Sequence, residues 1–102
     1  MKVSEITVET LKKYLRLDDD SFNDELQIYL DSAINYVCEH TGLIQTDDKK
    51  ELDEHEDITI AVLTLVSDFF ENHLYHQGGV GAEVKVNYTV NTILNHHRIN
   101  LV

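Results

Sequence analysis

"FNDELQIYLDSAINYVCEHTG", residues 22–42, carries the clearest periodicity in the chain. At about 100° per residue, Phe22, Leu26, Tyr29, Leu30, Ala33, Ile34, Tyr36 and Val37 share one broad face. Asp24, Asp31 and Asn35 lie opposite. That is a long amphipathic helix from Phe22 to Thr41, and Gly42 is suited to close it in the left-handed conformation. Asp20 or Ser21 is expected to cap its start, and the acidic "LDDDS" suits the positive end of its dipole. Cys38 sits at the edge of the apolar stripe, with no base beside it in sequence, and reads as an inert thiol. Ile28 falls on the polar side, which marks it as a candidate subunit contact.

Three further helices follow from the same periodicity. Val8, Leu11 and Leu15 predict a helix over residues 8–16 capped by Thr7. Asp57 is expected to cap a helix running to about Gln77. Its apolar arc, from Ile58 through Val62, Val66 and Phe70 to Leu74, covers well over half the circumference. Such a helix has to be covered on several sides, by its own chain or by a neighbour. Val90, Ile93 and Leu94 place a short last helix over residues 89–97. Between the last two helices, Gly78, Gly79 and Gly81 loosen the chain. "AEVKVNY", residues 82–88, then alternates with period two, putting Ala82, Val84, Val86 and Tyr88 on one side. With no second strand to pair with, this segment is expected to be an extended arm on the helices or against another chain. The fold class is therefore all-α: one domain, residues 1–102, a small bundle of three to four helices with an arm between the last two.

Composition narrows the function. The chain has 102 residues, 42% of them hydrophobic, and a formal charge of −11 from 19 acidic and 8 basic residues. So acidic a chain lacks the clustered Lys and Arg needed to grip DNA or RNA phosphates. The longest apolar run, Ile58 to Val66, is broken by Thr59 and Thr64 and is far short of the roughly 18 residues that cross a bilayer. "MKVSEITVE" has no apolar core of a secretory signal, so neither export nor a membrane partner is expected. A single cysteine allows no intrachain disulfide. Residues 43–57 carry seven acids and read as a solvated charged loop. They lack the spaced ligands and central glycine of a calcium loop.

Histidines are the only candidates for site chemistry. Glu71 and His73 are about 200° apart on a helix and cannot share a ligand. His73 and His76 do share a face, but it is the apolar one. Adjacent His96 and His97 diverge, so at most one of them can join a shared site, and a proton-sensitive contact is the more modest use for them. A metal-dependent hydrolase built on these histidines lacks its third and fourth ligands. No nucleophile elbow or phosphate loop is present, and no cofactor is expected. An acidic DNA mimic is a second alternative, but 16 of the 19 acids precede residue 58, whereas a mimic needs evenly spaced carboxylates.

Leu11 to Asp18 ("LKKYLRLD"), the acidic turn Asp19 to Ser21, and Tyr36 to Gly42, in that order, resemble the opening of small head–tail connector proteins of tailed bacteriophages and prophages. Phe70-Glu71-Asn72 resembles the end of that family's third helix, with His73 where the family has a basic residue. "ILNHHRINLV" resembles its closing helix and Arg-hydrophobic end. The resemblance implies a structural, non-enzymatic protein that is in the host cytoplasm before assembly and then forms a homo-oligomeric ring, typically of twelve copies, at the virion head–tail junction. Its partners would be the portal protein and a neck or tail-completion protein, with DNA passing through the ring unbound. On that reading Ile28, Val84, Val86, Tyr88, Ile99, Leu101 and Val102 are the expected interface residues. An acidic lumen would let DNA slide.

Overall fold

The computed structural model describes residues 1–75 and 88–98. Its helices are α1 (Val8–Leu15), α2 (Asn23–Thr41), α3 (Glu56–Tyr75) and α4 (Tyr88–His96), with single 3₁₀ turns at Val3–Glu5 and Glu51–Glu54. No strand forms among the described residues, only an isolated antiparallel bridge between Gln45 and Lys50. The all-α bundle is therefore the observed architecture. The arm, residues 82–88, lies outside the described residues except for Tyr88. That residue was expected to end the strand and instead opens α4.

Local chemistry sets the helix ends. Thr7 caps α1, its hydroxyl oxygen accepting from the Thr10 N–H at 3.2 Å. α1 ends on Arg16, left-handed at φ 60°, with the Leu17 N–H reaching back to the Lys12 carbonyl at 2.9 Å. Gly42, at φ 82°, closes α2 where a side chain would be strained. The expected cap of α2 does not form. Phe22 occupies the cap position, Asp20 pairs with Lys12, and Ser21 donates its N–H to the Asp19 carboxylate at 3.1 Å. Asp24 and Glu25 in the first turn are left to complement the dipole. Replacing Thr7 with alanine is expected to cost about 1 kcal/mol of unfolding free energy by urea titration. A loss under a few tenths would show that the cap contributes nothing.

α2 and α3 pack antiparallel, because the start of α2 meets the end of α3. Phe22 and Phe70 stack edge to face at 5.1 Å, and Tyr29 meets Phe69 at 6.2 Å. Leu26, Leu30, Ala33 and Val37 from α2 enclose the core with Ile58, Val62, Leu65 and Val66 from α3. α4 lies across both helices and buries Val90 and Leu94 completely. The N-terminal turn adds Val3, and α1 adds Leu11. As far as Phe70, the wide apolar arc of α3 is thus covered by its own chain, with α1, α2, α4 and both 3₁₀ turns around it. Among the described residues, the large apolar side chain that α3 exposes is Ile60, at 55%.

The acidic segment 43–57 corrects the expectation of a solvated loop. Leu52, in the middle of its charges, is fully buried. Its N–H donates to the Gln45 side chain at 3.0 Å, and the Glu51 N–H to the Ile44 carbonyl at 2.9 Å. The segment is folded onto the bundle through Leu52, with Leu43 partly buried against the same core.

Candidate functional site

Asp53 ties the acidic segment to the N-terminus. Its carboxylate accepts from the Ser4 N–H at 2.9 Å, the Ser4 hydroxyl at 2.5 Å and the Gln45 amide at 3.1 Å. Partial burial pushes this carboxyl up, but the Ser4 and Gln45 donors outweigh it and leave it below its ordinary range. Asp20 is also held low, by the Lys12 ammonium. Each depressed carboxylate contributes stability above its unfolded pKa of about 4, and that stability is lost as pH falls through the depressed folded value. Asp53→Asn is therefore expected to lower stability at neutral pH by about 1–3 kcal/mol and to flatten its acid dependence below about pH 4. An unchanged acid limb in urea titrations across pH would contradict this.

A second polar cluster joins the last helix to the start of α3. His97, just past α4, places Nε2 at 2.8 and 2.7 Å from the two Asp57 carboxylate oxygens. Partial burial raises the Asp57 carboxyl, but His97 and the N–H groups of Asp57 and Ile58 bring it below its ordinary range. The His55 ring lies 4.3 Å from the His97 ring, and His96 meets His97 edge-on at 5.1 Å. On the other flank of α4, His40 Nε2 lies 3.0 Å from Asn95 Oδ1, and His40 stacks on Tyr36 at 5.9 Å. Asp57 was expected to cap α3 from outside. The helix begins one residue earlier, at Glu56, and the Asp57 carboxylate is engaged across the fold by His97. His55 gave no signal in sequence, since 42 residues separate it from its ring partner.

The expected site residues divide sharply. Ile28 is 61% exposed on the acidic face of α2. Val84, Val86, Ile99, Leu101 and Val102 lie outside the described residues, as does His76. His73 lies on α3 away from the His97 cluster in sequence, and among the described residues no three His, Cys, Asp or Glu side chains are placed to hold a metal ion. Cys38 is half-buried, and burial pushes its thiol up, which keeps it protonated and unreactive. Asp18, Asp19, Asp24, Asp31, Asp47 and Asp48 are all exposed. No helix among the described residues is long and apolar enough to cross a membrane.

A family model described as phage gp6-like head–tail connector protein matches residues 5–98. The chain belongs to that connector family. The match runs from the N-terminal 3₁₀ turn to the residue after His97, so it takes in all four helices. No curated protein and no solved structure gives a match. Membership gives the connector a structural role in the phage particle, as an adaptor of the head–tail junction. The described surface carries exposed carboxylates and the exposed isoleucines Ile28, Ile44 and Ile60.

Proposed function

We propose that the connector assembles into a closed homo-oligomeric ring, of twelve copies in the virion, between the portal vertex and the next neck or tail-completion protein. The observation that carries this reading is the family match over residues 5–98. The subunit acts as one unit over residues 1–102 and is not an enzyme. Head-to-tail contacts between unlike surfaces close into rings when the rotation per subunit allows it. Ile28 offers an apolar point on an otherwise acidic helix face. The alternating segment with Val84, Val86 and Tyr88, and the tail with Ile99, Leu101 and Val102, supply the remaining contacts. The four-helix core closes within one chain, so the free subunit is stable in the host cytoplasm before it meets its neighbours. DNA passes through the ring, and the exposed carboxylates repel its phosphates rather than bind them.

Electron microscopy of the concentrated protein, alone and with portal, tests this directly. Rings, or portal-bound assemblies, are expected. Persistent monomers that bind neither portal nor neck proteins would overturn the reading. The acidic lumen has its own test: an assembled ring whose channel lacks carboxylates removes it.

A further inference from the structure

The end of α1 and the outer side of α2 carry opposite charges. Residues 12–16 hold Lys12, Lys13 and Arg16, three of the chain's eight basic residues. Lys12 is engaged by Asp20, and Glu9, the one acid of α1, lies 3.8 Å from it. Lys13 and Arg16 are exposed and have no ion pair among the described residues. Lys13 is two residues from both Leu11 and Leu15, about 200° round the helix from each, so it faces away from the core. Tyr14 beside it is 49% exposed. Cations at this end of α1 suit its dipole, which accounts for their sign but not for the exposed ring. α2 has the converse surface and contains no Lys or Arg. Its Asp24, Ile28, Asp31, Asn35 and Glu39 are all exposed, opposite the buried Leu26, Leu30, Ala33 and Val37. Gln27 donates to Asp31 at 3.0 Å but brings no charge, and among the described residues no cation meets Asp24 or Asp31.

We propose that the surface of Lys13, Tyr14 and Arg16 on one subunit docks on the surface of Asp24, Ile28 and Asp31 on the next copy of the chain. This rests on the ring reading and names one contact within it. Copies carrying a formal charge of −11 repel one another, so a contact between them gains most where cations oppose carboxylates. Each surface sets two like charges around one exposed aromatic or apolar side chain, and the signs are opposite. Ile28 lies four residues after Asp24 and three before Asp31, and the two carboxylates are about 10 Å apart along the helix. Exposed ion pairs are individually weak, so burial of Tyr14 against Ile28 supplies the apolar part of the contact and the charges select the partner. The two surfaces are unlike, so the contact is head-to-tail. A pair of copies joined this way leaves one of each surface free, and growth continues past the dimer until the ring closes.

Two complementary charge-reversal variants test the contact by sedimentation velocity. Lys13→Glu with Arg16→Glu makes both surfaces acidic, and Asp24→Lys with Asp31→Lys makes both basic. Where the unaltered protein forms rings, each variant alone is expected to need at least about ten-fold more protein to assemble. An equal mixture should assemble within about three-fold of the unaltered concentration, because copies alternating round a ring of even number pair opposite charges at every junction. Recovery on mixing also shows that both variants are folded. Normal assembly of either variant alone overturns the proposal, including a Lys13→Glu, Arg16→Glu variant that loses only portal binding. So do a mixture that fails to recover and a mixture that stops at dimers. A measurement on the unaltered protein needs no variant to fold: raising salt from about 0.05 to 0.5 M should weaken assembly about ten-fold or more, and indifference to salt refutes the contact. Absence of rings from the unaltered protein, with and without portal, overturns the ring reading and this contact with it. Rings in the unaltered protein without recovery in the mixture overturn the contact alone.

Discussion

Leu52→Ala is expected to lower the unfolding free energy by about 2–5 kcal/mol, although the residue lies in the most acidic part of the chain. Leu52 is fully buried, and the 3₁₀ turn carrying it packs on α3 and on the N-terminal turn. Truncation removes its transfer free energy and leaves a cavity that the surrounding helices fill only in part. It also frees the segment on which Asp53 depends to reach Ser4 and Gln45, so the two effects should couple. At this chain length each kcal/mol shifts Tm by roughly 4–8 °C, so a drop of more than about 10 °C is expected. Glu54→Ala, two residues on and exposed, should change stability by no more than about 0.5 kcal/mol. If the two variants melt together, the buried anchor is wrong.

Replacing Val84 and Val86 together with aspartate is expected to abolish assembly while leaving the subunit folded. Both positions lie outside the described residues. Their alternation with Glu83, Lys85 and Asn87 places both valines on the same side of an extended segment. Two carboxylates buried unpaired at each contact cost several kcal/mol, enough to weaken each contact more than about 100-fold. Among the described residues a buried core is already formed by the four helices and the two 3₁₀ turns, so circular dichroism is expected to be unchanged. Rings that persist in the double variant would remove the arm from the interface, while rings absent even in the unaltered protein would count against assembly as a whole.

Most of the secondary structure was legible because periodicity is a local property. Thr7, Gly42 and the apolar stripes of α1 to α4 predicted the helices to within two residues at the described ends. The errors share one cause. Asp20, Asp57 and Leu52 each had a plausible local role, as a cap, a cap and a loop residue. Each was claimed by a partner elsewhere in the chain or by the core: Lys12, His97 and the face of α3. A local cap contributes about 1 kcal/mol, which burial of a leucine exceeds, and the Asp20 and Asp57 carboxylates each have a cationic or imidazole partner within reach. The family, too, was legible, through the order of short motifs along almost the whole chain, and the match over residues 5–98 agrees with it.

Periodicity, charge and motif order already pointed to an all-helical, strongly acidic chain with the motif order of a head–tail connector. Those properties depend on composition and on spacings of a few residues, which chain connectivity fixes. The packing shows that the described apolar face of α3 is covered by its own chain, that the acidic segment is pinned by Leu52, and that the His55 and His97 rings meet beside Asp57. Ser4 and Asp53 lie 49 residues apart and Asp57 and His97 lie 40 apart, and such encounters are set by how the helices pack, which no local spacing encodes.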